Sequence, residues 1–410
     1  GSGFLGFSSA VGSFSRGFRA KGALQRLAMG ILSFLLRPSR PAPFGEVQKL
    51  GCVRQRLTFE TTTKNGVQDL LVQAFYPAED ARNPDAKVEP FFREQIYTEI
   101  GTKKDIPLWG LRALLDFPQI DAPLQPAKPD SSKKWPVAVF SSGLWGSCEM
   151  YTQFCRDLAS LGVIVVALEH EDGSGIWATS GTGEPIPYKD PPSGSTIPEF
   201  RAPQLDQRAS DLAAAAFAIR SIAESEATSN TSLLAEVLRT GDANDLHFVG
   251  HSFGAAGMLT YLKDLAEKGL DCPYGSALLL DLWTEPLLDA VLSRKPQIPI
   301  AHIVSTEFWE EKPEIRTGMD KVHLAAAEQC HAAVHIPGTL HQWISETQLL
   351  MHGPLLRKAG MMGPGRYHPC REATMKATSA MLASFRNPAS QATLRETLAN
   401  LDPQTCELVA

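Results

Sequence analysis

The pentapeptide Gly250-His251-Ser252-Phe253-Gly254 constrains this chain more than any other stretch, because of what flanks it. Before it runs Leu246-His247-Phe248-Val249, an apolar-leaning segment of strand type, and after it comes Ala255-Ala256-Gly257-Met258-Leu259, a small-residue opening of a helix. Strand, sharp turn and helix in that order make a G-x-S-x-G a nucleophile elbow. Its glycines let strand and helix approach closely, and its serine hydroxyl stands out at the tip of a strained turn. A bare match also arises by chance in a chain with 32 glycines, so the flanking pattern carries the argument. Ser252 is the expected nucleophile.

The rest of the chain supplies the sheet that such a turn needs. Cys52 to Thr61 and Leu70 to Tyr76 alternate apolar and polar residues, which predicts an antiparallel pair at one sheet edge. The Pro-, Asp- and Lys-rich segment from Pro77 to Trp135 is expected to wrap the surface, with a short helical patch from Pro107 to Leu115. Apolar strands then alternate with helices: 136–140, helix 150–161, 163–168, helix 207–223, and 246–249. After the elbow helix come apolar strands at 276–280, 298–304 and 332–336. Continuous apolar strands alternating with helices imply a parallel sheet covered on both faces. The expected fold is therefore α/β, an α/β-hydrolase fold with a mostly parallel central sheet and helices on both faces.

A chain of 410 residues with 43% hydrophobic and 20% charged residues is long enough for one large domain, and no internal repeat divides it. Its net charge of −6, with no basic stripe among aromatics, argues against a nucleic-acid partner. Seven scattered cysteines without C-x-x-C spacing indicate neither a zinc site nor a disulfide framework, and favour a reducing compartment. Residues 1–45 read as a basic amphipathic arm: six Lys and Arg side chains from Arg16 to Arg40, Phe4, Leu5, Phe7, Phe14 and Phe18 among serines and glycines, and no acidic residue before Glu46. The apolar run Ala23 to Leu36 is too short and too polar to span a bilayer. It is read as a surface-lying membrane helix, part of a targeting segment, or a helix packed on the body. The expected organisation is arm 1–45, catalytic domain 46–390 and C-terminal tail 391–410. The location expected is the cytoplasm or a membrane periphery, with secretion following if a signal segment had been removed.

A serine needs a base and an orienting acid, in the chain order Ser, acid, His for this fold. His302 and His335 sit inside strand patterns and read as core. His341 lies in the turn Pro337-Gly338-Thr339-Leu340-His341 after the last strand and is the expected general base. Two carboxylates compete for the acid on spacing alone. Asp281 ends the strand 276–280, and Glu307 follows the next strand; Asp289, within a helix, is a poorer third. The oxyanion donors are expected to be the backbone N–H groups of Phe253, after the nucleophile, and of Leu144, in the turn Ser141-Ser142-Gly143-Leu144-Trp145-Gly146. Trp145, Trp283 and Trp343 are expected to contact substrate, and the long Gly173 to Gln204 segment, with Trp177 and Tyr188, is a candidate access loop. No metal or other cofactor is expected.

Six segments taken together resemble a known family. They are Phe140-Ser141-Ser142-Gly143-Leu144, Ala167-Leu168-Glu169-His170-Glu171-Asp172-Gly173-Ser174, Gly250-His251-Ser252-Phe253-Gly254, Leu280-Asp281-Leu282-Trp283, Ser305-Thr306-Glu307-Phe308 and His341-Gln342. In this order they are similar to the platelet-activating-factor acetylhydrolases of the plasma and type II intracellular kind. The resemblance implies Ser252, Asp281 and His341 as the triad, Leu144 and Phe253 as oxyanion donors, and a structural Glu307. It also implies calcium-independent hydrolysis of short or oxidised sn-2 acyl groups of phospholipids. Two positions depart from the family pattern: Ser142-Gly143-Leu144-Trp145-Gly146 replaces His-Gly-Leu-Gly, and Glu171 follows His170 where Arg is common. The same triad would also serve a general carboxylesterase, or an acyltransferase or cyclase with another acceptor.

Overall fold

Strands built of unbroken apolar runs are buried on both faces, and the centre of this molecule is made of them. In the computed structural model the described residues are 39–60, 67–80, 90–105, 107–115, 124–225, 232–327, 329–349 and 352–409. Residues 1–38, which hold most of the basic arm, lie outside them. The strands are β1 (Leu50–Glu60), β2 (Val67–Pro77), β3 (Trp135–Ser141), β4 (Ile164–Leu168), β5 (Trp177–Thr179), β6 (Pro185–Pro187), β7 (Gly241–His251), β8 (Ser276–Leu280), β9 (Ile300–Ser305), β10 (Cys330–Ile336) and β11 (Glu407–Leu408).

Nine of them form one sheet in the order β1-β2-β4-β3-β7-β8-β9-β10-β11. The contiguous strands from β4 to β10 are parallel, while β1, β2 and β11 join antiparallel. This is the α/β-hydrolase architecture anticipated from the alternation of strands and helices. Side chains alternate between the faces, so Val137 and Val139 of β3 join one apolar cluster and Ala138 and Phe140 the other. The first cluster is closed by helices α2 (Ile197–Glu224) and α3 (Phe253–Lys268), the second by α1 (Thr152–Ser160), α4 (Tyr367–Arg386) and α5 (Pro388–Ala399).

Helix α2 starts ten residues before the expected Gln207. Thr196 and Glu199 form a capping box at its N-terminus, which sets the start. Pro203 lies inside the helix and, read from sequence, hides that start. The preceding segment is not structureless: β5 and β6 pair as a short hairpin.

At both chain ends the described residues pack beyond the expected boundaries. Within 391–409, most of the expected tail, Leu394, Leu398 and Cys406 are buried in the second cluster, and β11 pairs with β10 through Val334–Leu408 and His335–Glu407. At the other end, residues 39–45 are tied to the body. Arg40 forms a buried ion pair with Glu346, and the amides of Phe44 and Gly45 donate to Asp157 Oδ1 and Ser160 Oγ of α1. No helix of the described residues is long and apolar enough to cross a membrane, and all seven cysteines are free thiols.

Candidate active site

The parallel strands end at the same sheet edge, and their C-terminal turns build the site. Strand β7 ends at His251, and Ser252 follows with φ 57° and ψ −118°, a conformation that few residues other than glycine adopt without strain. Its N–H donates to the carbonyl of Leu280 at 2.8 Å, which ties the elbow to β8. The flanking glycines are required by space. A Cβ on Gly254 would stand 2.2 Å from the Ser141 carbonyl oxygen, and one on Gly250 would stand 2.4 Å from the Phe248 ring.

Strand β8 ends one residue before Asp281, whose φ is 48°. This buried carboxylate accepts the amide and the hydroxyl of Ser305, both at 2.6 Å. It lies 2.8 Å from His341 Nδ1 through its Oδ2. His341 Nε2 is 2.9 Å from Ser252 Oγ. Three residues separated widely in sequence are thus joined in one hydrogen-bonded line. Burial disfavours the charged form of each titratable member. It pushes the Asp281 carboxyl up, against the two Ser305 hydrogen bonds, and it pushes the His341 imidazole down, against the nearby Glu307 carboxylate. A neutral imidazole at neutral pH is the form able to accept a proton from serine.

Glu307, the other carboxylate weighed from spacing, also touches His341, but at its backbone. Its Oε2 accepts the His341 N–H at 2.8 Å, while the Glu307 N–H reaches back to the Thr339 carbonyl at 3.3 Å. Asp281 therefore faces the ring and Glu307 holds the loop. Asp289 instead pairs with Lys321 at the surface. His302 and His335 are buried in their strands as expected.

The turn after β3 lies directly against the elbow: a Cβ on Gly143 would be 3.1 Å from Ser252 Cβ. Within it, the Trp145 N–H is taken by the Ser174 carbonyl and the Gly146 N–H by the Gly143 carbonyl. Among the described residues the N–H groups of Leu144 and Phe253 meet no acceptor. For Phe253 this follows from its place as the first residue of α3, where helical N–H groups have no intrahelical partner.

Of the three tryptophans, Trp145 and Trp283 are half-buried, and Trp283 packs on the Phe253 ring at 5.8 Å. Trp343, also expected to contact substrate, has a different setting. It is buried behind the site, where its Nε1–H donates to Thr374 Oγ1 and its ring sets its edge against His251. Trp177 and Tyr188 lie on the hairpin segment, Tyr188 under the cations of Lys103 and Arg201.

Sequence reasoning missed the groups that support the site. Arg208 is fully buried, donates to the Ser142 carbonyl at 2.5 Å, to Asp172 Oδ2 at 3.2 Å and to Ser174 Oγ at 2.7 Å, and lies over the Phe253 ring. The segment His170-Glu171-Asp172-Gly173-Ser174 therefore anchors the turn that carries Leu144. Glu171, one of the two departures from the family pattern, pairs with Arg56 of β1. Among the described residues two groups of metal-type ligand atoms come together, His251-Asp281-His341 and Cys148-Glu149-Glu169. Atoms of the first are engaged in the hydrogen bonds just described. Against the second stand the guanidinium groups of Arg54 and Arg93. Neither donor set is left open in the way a catalytic metal requires.

A serine on a strained strand-to-helix turn, above the edge of a mostly parallel sheet and in line with an imidazole and a buried carboxylate, defines the α/β-hydrolase class. A solved ferulic acid esterase from Streptomyces cinnamoneus has the same fold, with a TM-score of 0.60 and 17% identity over 90% of this chain and 99% of that one. Residues 42–394 match the family model described as platelet-activating factor acetylhydrolase, isoform II. The chain belongs to that family, and is a carboxylic ester hydrolase. It is 29% identical to the platelet-activating factor acetylhydrolase of Canis lupus familiaris over 75% of this chain and 68% of that one. To the protein of the same name from Cavia porcellus it is 30% identical over 59% and 56%. The matched part thus spans between about half and two thirds of these relatives' own length.

Proposed function

We propose that this enzyme hydrolyses short or oxidised sn-2 acyl groups of phospholipids, without calcium, through a triad of Ser252, His341 and Asp281. The observation that carries the reading is the position of His341, 2.9 Å from Ser252 Oγ on one ring nitrogen and 2.8 Å from Asp281 on the other. In the first step Ser252 Oγ attacks the ester carbonyl as its proton passes to His341 Nε2. Asp281 holds the Nδ1–H tautomer and stabilises the imidazolium that forms. Negative charge gathers on the carbonyl oxygen, where the N–H groups of Leu144 and Phe253 are the donors. The imidazolium returns its proton to the departing alkoxide, leaving the acyl group on Ser252. Water, deprotonated by His341, then cleaves that ester and regenerates the serine. The substrate class is supported by family membership and by the names of the relatives.

The test is hydrolysis of a short sn-2-chain phosphatidylcholine beside its long-chain counterpart, with a chelator present, by the intact protein and by Ser252→Ala. Release of the short acyl group alone, lost in Ser252→Ala, is the expected result. Two intact lipids together with Ser252-dependent cleavage of a soluble nitrophenyl ester would instead mark a general carboxylesterase. Product transfer to an added alcohol or amine in preference to water would mark an acyltransferase.

A further inference from the structure

A chain of hydrogen bonds, not used in the steps above, connects the turn that carries Leu144 to the loop that carries His341. The Gly143 N–H donates to the Tyr151 hydroxyl oxygen at 3.2 Å. That hydroxyl lies 2.9 Å from His251 Nδ1. His251 Nε2 lies 3.0 Å from the backbone carbonyl oxygen of His341. The direction of every bond follows from its last member. A carbonyl oxygen only accepts, so His251 Nε2 carries the proton. In a neutral ring Nδ1 is then the acceptor, and the Tyr151 O–H must donate to it. The hydroxyl oxygen keeps its lone pairs for the Gly143 amide. Each group has one role, and none is left unpaired.

Burial keeps this arrangement in one protonation state. His251 is wholly buried and its pKa is pushed down to about 3, first by desolvation and then by the neighbouring His341. The Tyr151 hydroxyl is buried as well. Packing brings the chain against the reacting groups. The His251 ring stacks on the His341 ring at 4.5 Å and 29°, and the Tyr151 ring lies 5.5 Å from that of His251. A Cβ on Gly143 would meet His251 Nδ1 at 3.0 Å, the Tyr151 hydroxyl at 3.1 Å and Ser252 Cβ at 3.1 Å, so turn, relay and nucleophile converge on one point.

We propose that Tyr151 and His251 are positioning residues that hold the oxyanion turn and the general base in register with each other. The inference rests on the reading of Ser252 and His341 as nucleophile and base. Both the 143–146 turn and the 337–341 loop are irregular backbone, without a ladder of their own to fix them. Their relative placement decides whether the donor N–H and the proton acceptor serve the same tetrahedral intermediate. His251 precedes the nucleophile directly and ends β7, the central strand of the sheet, whose last six residues are buried. Fixing both loops to it gives them a common reference. Since neither side chain meets substrate in this scheme, its loss should fall on the chemical step and spare binding.

The test uses a soluble nitrophenyl ester and the full chain, with Ser252→Ala, Tyr151→Phe, His251→Phe, His251→Gln and the Tyr151→Phe/His251→Phe double variant. Tyr151→Phe removes one hydroxyl and keeps the ring. His251→Phe keeps a ring to stack and loses both bonds. Glutamine at 251 restores an N–H donor for the His341 carbonyl and an oxygen acceptor for Tyr151. Tyr151→Phe and His251→Phe are each expected to lower kcat by about 10- to 100-fold with KM within about twofold. His251→Gln should recover most of that loss. The double variant should be no slower than the slower single one, because a single chain is broken once. If His251→Phe does not fold, Tyr151→Phe and His251→Gln still decide. Unchanged kcat in Tyr151→Phe beside an inactive Ser252→Ala overturns the relay alone, as do multiplying losses in the double variant. Full activity in Ser252→Ala overturns the reading of the site, and the relay with it.

Discussion

The rings of Phe308 and His341 lie parallel, 4.0 Å apart between centroids and 10° apart between planes. The His251 ring also stacks on the imidazole, at 4.5 Å. Packed against both rings, His341 has Nδ1 toward Asp281 and Nε2 toward Ser252. Phe308→Leu keeps an apolar side chain of similar reach and removes the flat surface. The expected result is a kcat lower by about tenfold at unchanged KM, with a stability loss of about 1 kcal/mol. Steady-state kinetics and a denaturant titration read the two effects separately; an unaltered kcat would show that the stack does not orient the base.

Glu307 raises the His341 pKa against the effect of burial. Glu307→Gln removes the negative charge while keeping an oxygen for the His341 N–H. The imidazole then binds its proton less tightly, so it stays neutral to lower pH. The acid limb of the kcat/KM profile should move toward acid in this variant. A limb that stays in place, or moves toward neutrality, contradicts the assignment.

Arg208 is a fully buried cation whose partner Asp172 is also buried. Arg208→Leu leaves that carboxylate without its counter-charge and frees the Ser142 carbonyl. Breaking a buried pair on one side costs about 3–5 kcal/mol. A fall of that size in unfolding free energy is expected, visible as a lower denaturation midpoint. A midpoint equal to that of the parent protein would show that the pair contributes nothing.

The basic arm can be tested only if it is cut in the right place. Deleting residues 1–38 removes Arg16, Arg19, Lys21, Arg26 and Arg37 and leaves Arg40 in its ion pair with Glu346. Binding to anionic vesicles should fall while soluble-ester turnover holds. Cosedimentation with and without phosphatidylserine measures the first, and undiminished binding would rule out the arm as an attachment. Deletion through residue 45 should in addition destabilise the domain by about 3–5 kcal/mol, since Glu346 would keep its bond from the Gln153 N–H but lose its counter-charge.

How much of this was legible in the sequence depended on the range of the interaction. The apolar strands and the elbow announce themselves locally, because burial on both faces and a turn that needs two glycines leave marks within a few residues. Spacing could not separate Asp281 from Glu307, because both leave strand ends at the same sheet edge. They differ in which atoms of His341 they meet, and that is decided by a loop 34 residues beyond Glu307. Tyr151 and His251 were invisible as a pair for the same reason, being 100 positions apart. The side chain of Trp343, two residues after His341, turns into the core, which its place in the sequence does not show. Strand β11 covers only Glu407–Leu408, too short to show a period.

The backbone at Ser252 carries one more implication. A φ of 57° with ψ of −118° costs a side chain about 1–3 kcal/mol that glycine would not incur. Folding and the proposed chemistry therefore ask for different residues at this one position. Descendants of this chain that no longer need the reaction would gain stability by a single change to glycine there, before any other part of the site decayed. A homologue with glycine at 252 and an otherwise intact site would then be a recent retirement rather than an ancient one.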